Sequence, residues 1–220
     1  MTTPRFGTVI FDCDSTLSAI EGIDELAAGH RKAIAALTDA AMRGEVSLEA
    51  VYGQRLSLIQ PTREAVEALG SQYIAAAVPD ARTTVRTLID QGVRVKILSG
   101  GLRQAILPFA AWLGVAEHDV AAVDLWFNAD GSYRQFDERS PLTRSGGKRT
   151  IVDEWRGTVP APVLMVGDGI TDLEARPAVD RFVAYAGVVD RLAVTSAADA
   201  VIRTASLLPL LEEVLHTHRG

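Results

Sequence analysis

At 220 residues, with 48% hydrophobic and 23% charged side chains, the chain has the makeup of an ordinary globular protein, long enough for one domain with an insertion or for two small domains. Its net charge of -6, with no Lys/Arg run, excludes a basic stripe for nucleic acid but leaves room for a phosphate bound at one point. The lone cysteine, Cys13, allows no intramolecular disulfide and fits a reducing compartment. The apolar run at 9–11 is too brief for a signal-peptide core, and the longest apolar stretch, 106–116, is broken by Pro108 and Gly114 and falls short of the ~20 residues of a membrane span. The expectation is a cytoplasmic protein that engages neither nucleic acid nor membrane. Monomer and homodimer are both left open.

The first predicted element is the strand TVIFD at 8–12, which ends in Asp12 and, one residue further on, Asp14. Residues two apart on an extended chain face the same side, so the two carboxylates converge if the extended path persists. Like charges brought close imply a metal ion, a shared proton or a division of labour between nucleophile and acid; an acidic turn after the strand is the plain alternative. Cys13, between them, reads as a small buried thiol.

Residues 18–78 change character, being rich in Ala, Leu, Glu and Arg with helical periods and no strand-like run. They read as a helical cap inserted after the first strand, with residues 1–17 and 79–220 forming the core. Within the insert, 47–59 predicts an amphipathic helix with Ser47 as N-cap and Leu48, Val51, Tyr52, Leu56, Leu58 and Ile59 on one face. Arg55 falls in the middle of that face, where an unpaired guanidinium is costly. A buried carboxylate of the protein, solvent reached by the head group, or a ligand carboxylate or phosphate would each satisfy it.

Further along, 93–100, 162–169 and 181–187 read as strands that stop at Ser or Gly, or run into Asp168, with helical segments between them. This pattern predicts a parallel, Rossmann-like α/β sheet of βαβ units, whose ligands bind beyond the carboxyl ends of the strands. Those ends carry Asp12, Ser99 and Asp168. Residues 123–137 flank Asp130-Gly131 with apolar and aromatic runs, the pattern of a structural hairpin. Neither SGGKRT at 145–150 nor GDGITD at 167–172 completes a P-loop or a dinucleotide fingerprint, and the four histidines show no metal-ligand spacing.

Taken in order, DCDST, LSGG, Lys148 and GDGITD resemble the signature of the haloacid-dehalogenase superfamily of aspartate-nucleophile phosphatases. FDCDSTLSAIEGIDELA, RLSLIQPTREAV and FDERSPLTRSGGKRTIV extend the likeness, from about residue 8 to about 188, to the branch that hydrolyses O-phosphoserine. The resemblance implies Asp12 as nucleophile and Asp14 as general acid and then base. It implies Mg²⁺ held by Asp12, the backbone carbonyl of Asp14 and Asp168, with Asp172 supporting these ligands from behind. Ser99, the Gly100 N–H and Lys148 would hold the phosphoryl group, Arg55 the substrate carboxylate and Glu21 its ammonium. Thr171 takes a position where Asn is common, and Leu48 and Leu102 stand where Phe is frequent. Two other readings share parts of this chemistry: a phosphatase for another small amino- or carboxylate-bearing phosphate, and a phosphoryl-accepting signalling module. In the latter, however, the accepting Asp follows the third strand and no cap is present.

Overall fold

The computed structural model describes residues 4–215 except 28, 30 and 44. His30, His216 and His218 lie outside the described residues. The chain opens with β1 (Thr8–Phe11), followed by the helices α1 (Gly22–Glu25), α2 (Arg31–Met42), α3 (Leu48–Ile59) and α4 (Arg63–Ala75). Next come α5 (Ala81–Asp90), β2 (Arg94–Leu102), α6 (Arg103–Leu113) and β3 (Val120–Val123), then the antiparallel pair β4 (Leu125–Phe127) and β5 (Tyr133–Phe136). The last third holds α7 (Gly147–Arg156), β6 (Val163–Gly167), α8 (Ile170–Leu173), β7 (Arg181–Tyr185), α9 (Leu192–Thr195), β8 (Ala200–Ile202) and α10 (Pro209–Val214).

Among the described residues the main sheet is six-stranded, in the order β3-β2-β1-β6-β7-β8, with every pair parallel. It is the α/β, Rossmann-like arrangement expected from the run-and-stop pattern. β1 lies at its middle and is buried along its whole length, as a strand covered by helices on both faces must be. Burial of side chains such as Ile10 and Phe11 is worth about 1.5–3 kcal/mol each, which pins the strand that delivers Asp12. Two strands, β3 and β8, did not stand out in the sequence. Both are short, Ala- and Val-containing and at the edges of the sheet.

The chain leaves β1, builds β2 and β3 on one side, then crosses to place β6 on the other. The crevice between β1 and β6 is therefore the switch point where such sheets bind ligands. Register does the rest. Phe11 pairs with Ile97 on β2 and with Val166 on β6, so Asp12, Ser99 and Asp168 all emerge one or two residues past that level.

The insert is helical, as predicted. On α3, Leu48, Val51, Tyr52, Arg55 and Leu56 are buried, whereas Leu58, assigned to the apolar face, is 47% exposed because it lies at the edge of the stripe near the helix end. Ser47 occupies the N-cap in extended conformation without a side-chain hydrogen bond there; α4, by contrast, is capped by Thr62, whose side chain accepts from Ala65 N at 3.2 Å. α4 lies along α6, with Tyr73 stacked on Phe109 at 5.8 Å between ring centroids. The hairpin also touches the insert: Phe136 of β5 meets Tyr52 at 5.3 Å, and the Gly131 carbonyl at its tip accepts from Arg63 N at 2.9 Å.

Candidate active site

A cleft lies between the sheet and the insert and is lined by Asp12, Asp14, Glu21, Arg55, Gly100, Lys148, Asp168 and Thr171. Residues predicted from five separated segments thus meet in one place. Ser99 and Asp172 stand immediately behind, each fully buried.

Asp12 leaves β1 with its backbone N–H bonded to Val166 O at 2.9 Å. Its Oδ1 accepts from Cys13 N at 2.8 Å and sits 2.7 Å from Lys148 Nζ, which donates at 2.6 Å to Asp172 Oδ1. Lys148 is the second residue of α7 and is buried, not the solvated helix-start lysine its position alone would suggest. Burial acts to lower its pKa, and the two carboxylates outweigh burial and raise it, so the ammonium stays charged. Burial, followed by the neighbouring Asp172, raises Asp12 well above the usual carboxylate range against the opposing pull of Lys148. Asp168 is pushed up to about 7, by burial first and against the pull of Arg191.

Oxygens of Asp12, Asp168 and Asp172 lie within 4.8 Å of one another, all buried. Three hard oxygen donors gathered at one buried point can hold a divalent cation. Asp172, expected only in a supporting place, brings an oxygen into the same reach; it also accepts from Gly169 N at 2.9 Å, which fixes its rotamer. Thr16 Oγ1 donates to Asp168 Oδ1 at 3.0 Å, which orients the third donor.

Asp14 lines the same cleft as Asp12, but its carboxylate is not one of the three clustered oxygens. The chain turns just after it, at 15–17, with Ser15 at φ +52°. Asp14 Oδ1 accepts from Gly22 N and Tyr73 Oη, each at 2.7 Å, and its Oδ2 accepts from Ser99 Oγ at 3.2 Å. Two glycines make room: a Cβ on Gly22 would collide with the Tyr73 hydroxyl, and one on Gly101 would lie 2.8 Å from Asp14 Oδ2. Ser99 Oγ also accepts from Gly101 N at 2.9 Å, so the segment 99–101 presents its turn of backbone toward the cleft.

At the insert end, Arg55 is 4% exposed and lies beside the Tyr52 ring, its guanidinium carbon 5.5 Å from the centroid. Nη1 donates to Thr38 Oγ1 at 2.8 Å, while Nε is buried without a hydrogen-bond partner. Glu21 accepts from Ser15 Oγ at 2.7 Å; burial and the nearby Asp14 raise its carboxyl above the ordinary range. Tyr52 Oη donates to Gly100 O at 2.8 Å and so joins insert to core across the cleft.

Four residues escaped the sequence reading. Arg191, between β7 and α9, is buried with its Nη1 on Asp168 and its Nη2 3.9 Å from Glu21. Its place past the end of a strand next to β6 was the available signal. Tyr73, Thr38 and Tyr52 act through hydroxyls on buried helix faces, where the pattern shows only core.

The haloacid dehalogenase-like hydrolase family profile matches residues 6–180, and the chain belongs to that family of hydrolases. Within it, the chain is 39% identical to phosphoserine phosphatase of Bos taurus, covering 93% of each chain, and 41% identical to the chloroplastic phosphoserine phosphatase of Arabidopsis thaliana, covering 88% of this chain and 68% of that one. A phosphoserine phosphohydrolase-like protein of Francisella tularensis superposes with a TM-score of 0.84 at 27% identity, covering 93% of this chain and 98% of that one. No helix among the described residues is long and apolar enough to cross a membrane.

Proposed function

We propose that this hydrolase cleaves O-phosphoserine to serine and phosphate, with Mg²⁺ as its cation and Asp12 as its nucleophile, completing serine biosynthesis in the cytoplasm. The observation that carries this reading is Arg55, a buried cation whose Nε lacks a partner, facing the same cleft as a cluster of phosphate-handling residues. A ligand bearing phosphate at one end and carboxylate at the other matches both ends; the names of the relatives point the same way. The hairpin and insert contacts support residues 18–78 acting as a cap on a core of 1–17 and 79–220.

In the mechanism we assign, Asp12 Oδ1 is held by Cys13 N–H and Lys148, and Oδ2 attacks phosphorus. As the P–O bond to serine breaks, Asp14 gives its proton to the departing oxygen and an aspartyl-phosphate forms on Asp12. Asp14, now ionised, then takes a proton from water, whose oxygen attacks phosphorus and frees Asp12. Lys148, Ser99 and the Gly100 N–H hold the peripheral oxygens where charge accumulates, with Thr171 at the cleft wall. Asp12, Asp168 and the Asp14 carbonyl are the assigned Mg²⁺ ligands, supported by Asp172; bound there, the cation neutralises phosphate charge. Glu21 receives the ammonium, and Arg55 the carboxylate.

The test is phosphate release from a panel of small phosphomonoesters with and without Mg²⁺. Phosphoserine should be hydrolysed far faster than phosphoethanolamine, and chelation should abolish both activities. Arg55→Ala should erase the preference, at a cost of about 2–5 kcal/mol on phosphoserine alone. Equal slowing of both esters would remove the case for phosphoserine.

A further inference from the structure

Among the described residues, Arg55 is gripped from one side. Its Nη1 donates to Thr38 Oγ1 at 2.8 Å, and Thr38 Oγ1 donates in turn to Asp24 Oδ1 at 2.7 Å. The three residues belong to α3, α2 and α1, so one line of hydrogen bonds crosses three helices of the insert. Thr38 is 2% exposed, and its hydroxyl has both roles filled, accepting from Arg55 and donating to Asp24.

Among the described residues no carboxylate stands at ion-pair distance from Arg55, although Asp24 is close enough to act on the same network. An aspartate bonded directly to the guanidinium would neutralise it and compete with any arriving carboxylate. Placed one hydroxyl away, Asp24 still supplies countercharge and polarises the Thr38 hydroxyl as an acceptor, yet does not occupy the fork. With Nη1 engaged, the edge formed by Nε and Nη2 remains for a bidentate partner, and Nε is the buried atom without a partner.

We propose that Thr38 and Asp24 are positioning residues for substrate choice: the Arg55–Thr38–Asp24 line holds the guanidinium with its Nε edge toward the cleft, so that carboxylate-bearing phosphates are selected. The proposal rests on the phosphoserine reading above and concerns its specificity, not its bond-breaking chemistry.

The experiment compares kcat and KM for phosphoserine and phosphoethanolamine in the wild type and in the Thr38→Val, Thr38→Ser and Asp24→Asn variants. Valine keeps the branched shape and removes the hydroxyl. It should raise KM for phosphoserine about 10- to 100-fold, the worth of a hydrogen bond to a charged group, with kcat little changed and phosphoethanolamine kcat/KM within about twofold of wild type. Serine restores the hydroxyl and should recover most of the loss. Asp24→Asn keeps an acceptor without the charge and should fall between.

Equal losses on both substrates would overturn the proposal by showing that Thr38 only packs the insert, and so would unchanged kinetics on both. If Thr38→Val is recovered unfolded, Asp24→Asn decides by the same selectivity ratio: a reduced ratio supports the line and an unchanged one overturns it. A wild-type enzyme with no preference for phosphoserine would instead defeat the underlying reading before any variant is compared.

Discussion

The sheet end and the insert end of the cleft balance charge in opposite ways. Beneath the cleft two buried cations each have a carboxylate at ion-pair distance: Lys148 bridges Asp12 and Asp172, and Arg191 rests on Asp168. At the insert end Arg55 meets, among the described residues, a hydroxyl and an aromatic face, with one nitrogen unsatisfied. The first arrangement is self-sufficient and keeps a fixed set of charges in place around chemistry. The second is incomplete by one anion. A cleft built in this way binds at one end by rearranging charges it already holds and at the other by receiving a charge it lacks.

The strongest way to break the sheet end is Asp12→Asn, which leaves Lys148 its Asp172 partner and so should fold. Phosphoserine turnover should fall by about 10⁴-fold or more, because an amide cannot become an acyl-phosphate. Near-wild-type turnover of the sequence-verified variant would exclude Asp12 as nucleophile.

Next in size is Asp14→Asn, expected to slow phosphoserine hydrolysis by roughly 10²–10⁴-fold. A phenyl phosphate, whose leaving group needs less protonation, should lose less in the step that forms the phospho-enzyme. Single-turnover rates measured on both esters separate an acid from a residue that merely shapes the cleft.

Proton competition sharpens the comparison without any substitution. Asp168, with its pKa pushed up to about 7, carries a proton in the metal-free protein below that pH, and a divalent cation must displace it. Cation affinity should therefore fall as pH drops through 7, a trend readable by calorimetry at pH 6, 7 and 8. The sign for stability is the reverse. A raised folded-state pKa favours the metal-free fold fully below 3.8, and that contribution is lost as pH rises through about 7. A cation affinity that stays constant from pH 6 to 8 would show that this carboxyl is not at the site.

The smallest effect expected is that of Tyr73→Phe. It removes one of two donors to Asp14 Oδ1 and keeps the ring stacked on Phe109, so melting temperature should hold while kcat on phosphoserine falls about tenfold. An unchanged kcat would mean that Gly22 N–H alone suffices.

Much of the sheet could be read directly because buried parallel strands are apolar throughout and stop abruptly, as 8–12 and 162–169 do. β3 and β8 could not, since runs of three or four small and aliphatic residues suit a helix as well as an edge strand, and only pairing with β2 or β7 decides between them. Arg55 was visible because helical periodicity exposes a charge on the wrong face. Its partner was not, since the hydroxyl of Thr38 becomes an acceptor only when α2 and α3 pack. The meeting of Asp14 with Asp12 at one cleft was legible from their two-residue spacing, whereas its partners Gly22, Tyr73 and Ser99 were not, since only the fold brings those segments together.

The central place of β1 also sets a schedule for synthesis. The first strand made has neighbours that come late: one at residues 94–102 and the other at 163–167. Until the second of these has left the ribosome, Asp12 has no Asp168 beside it and no Lys148 paired to Asp172, so a nascent chain carries Asp12 long before it carries an assembled cleft. Contacts of that sequence separation form slowly, and the apolar edges of β1 wait unpaired meanwhile.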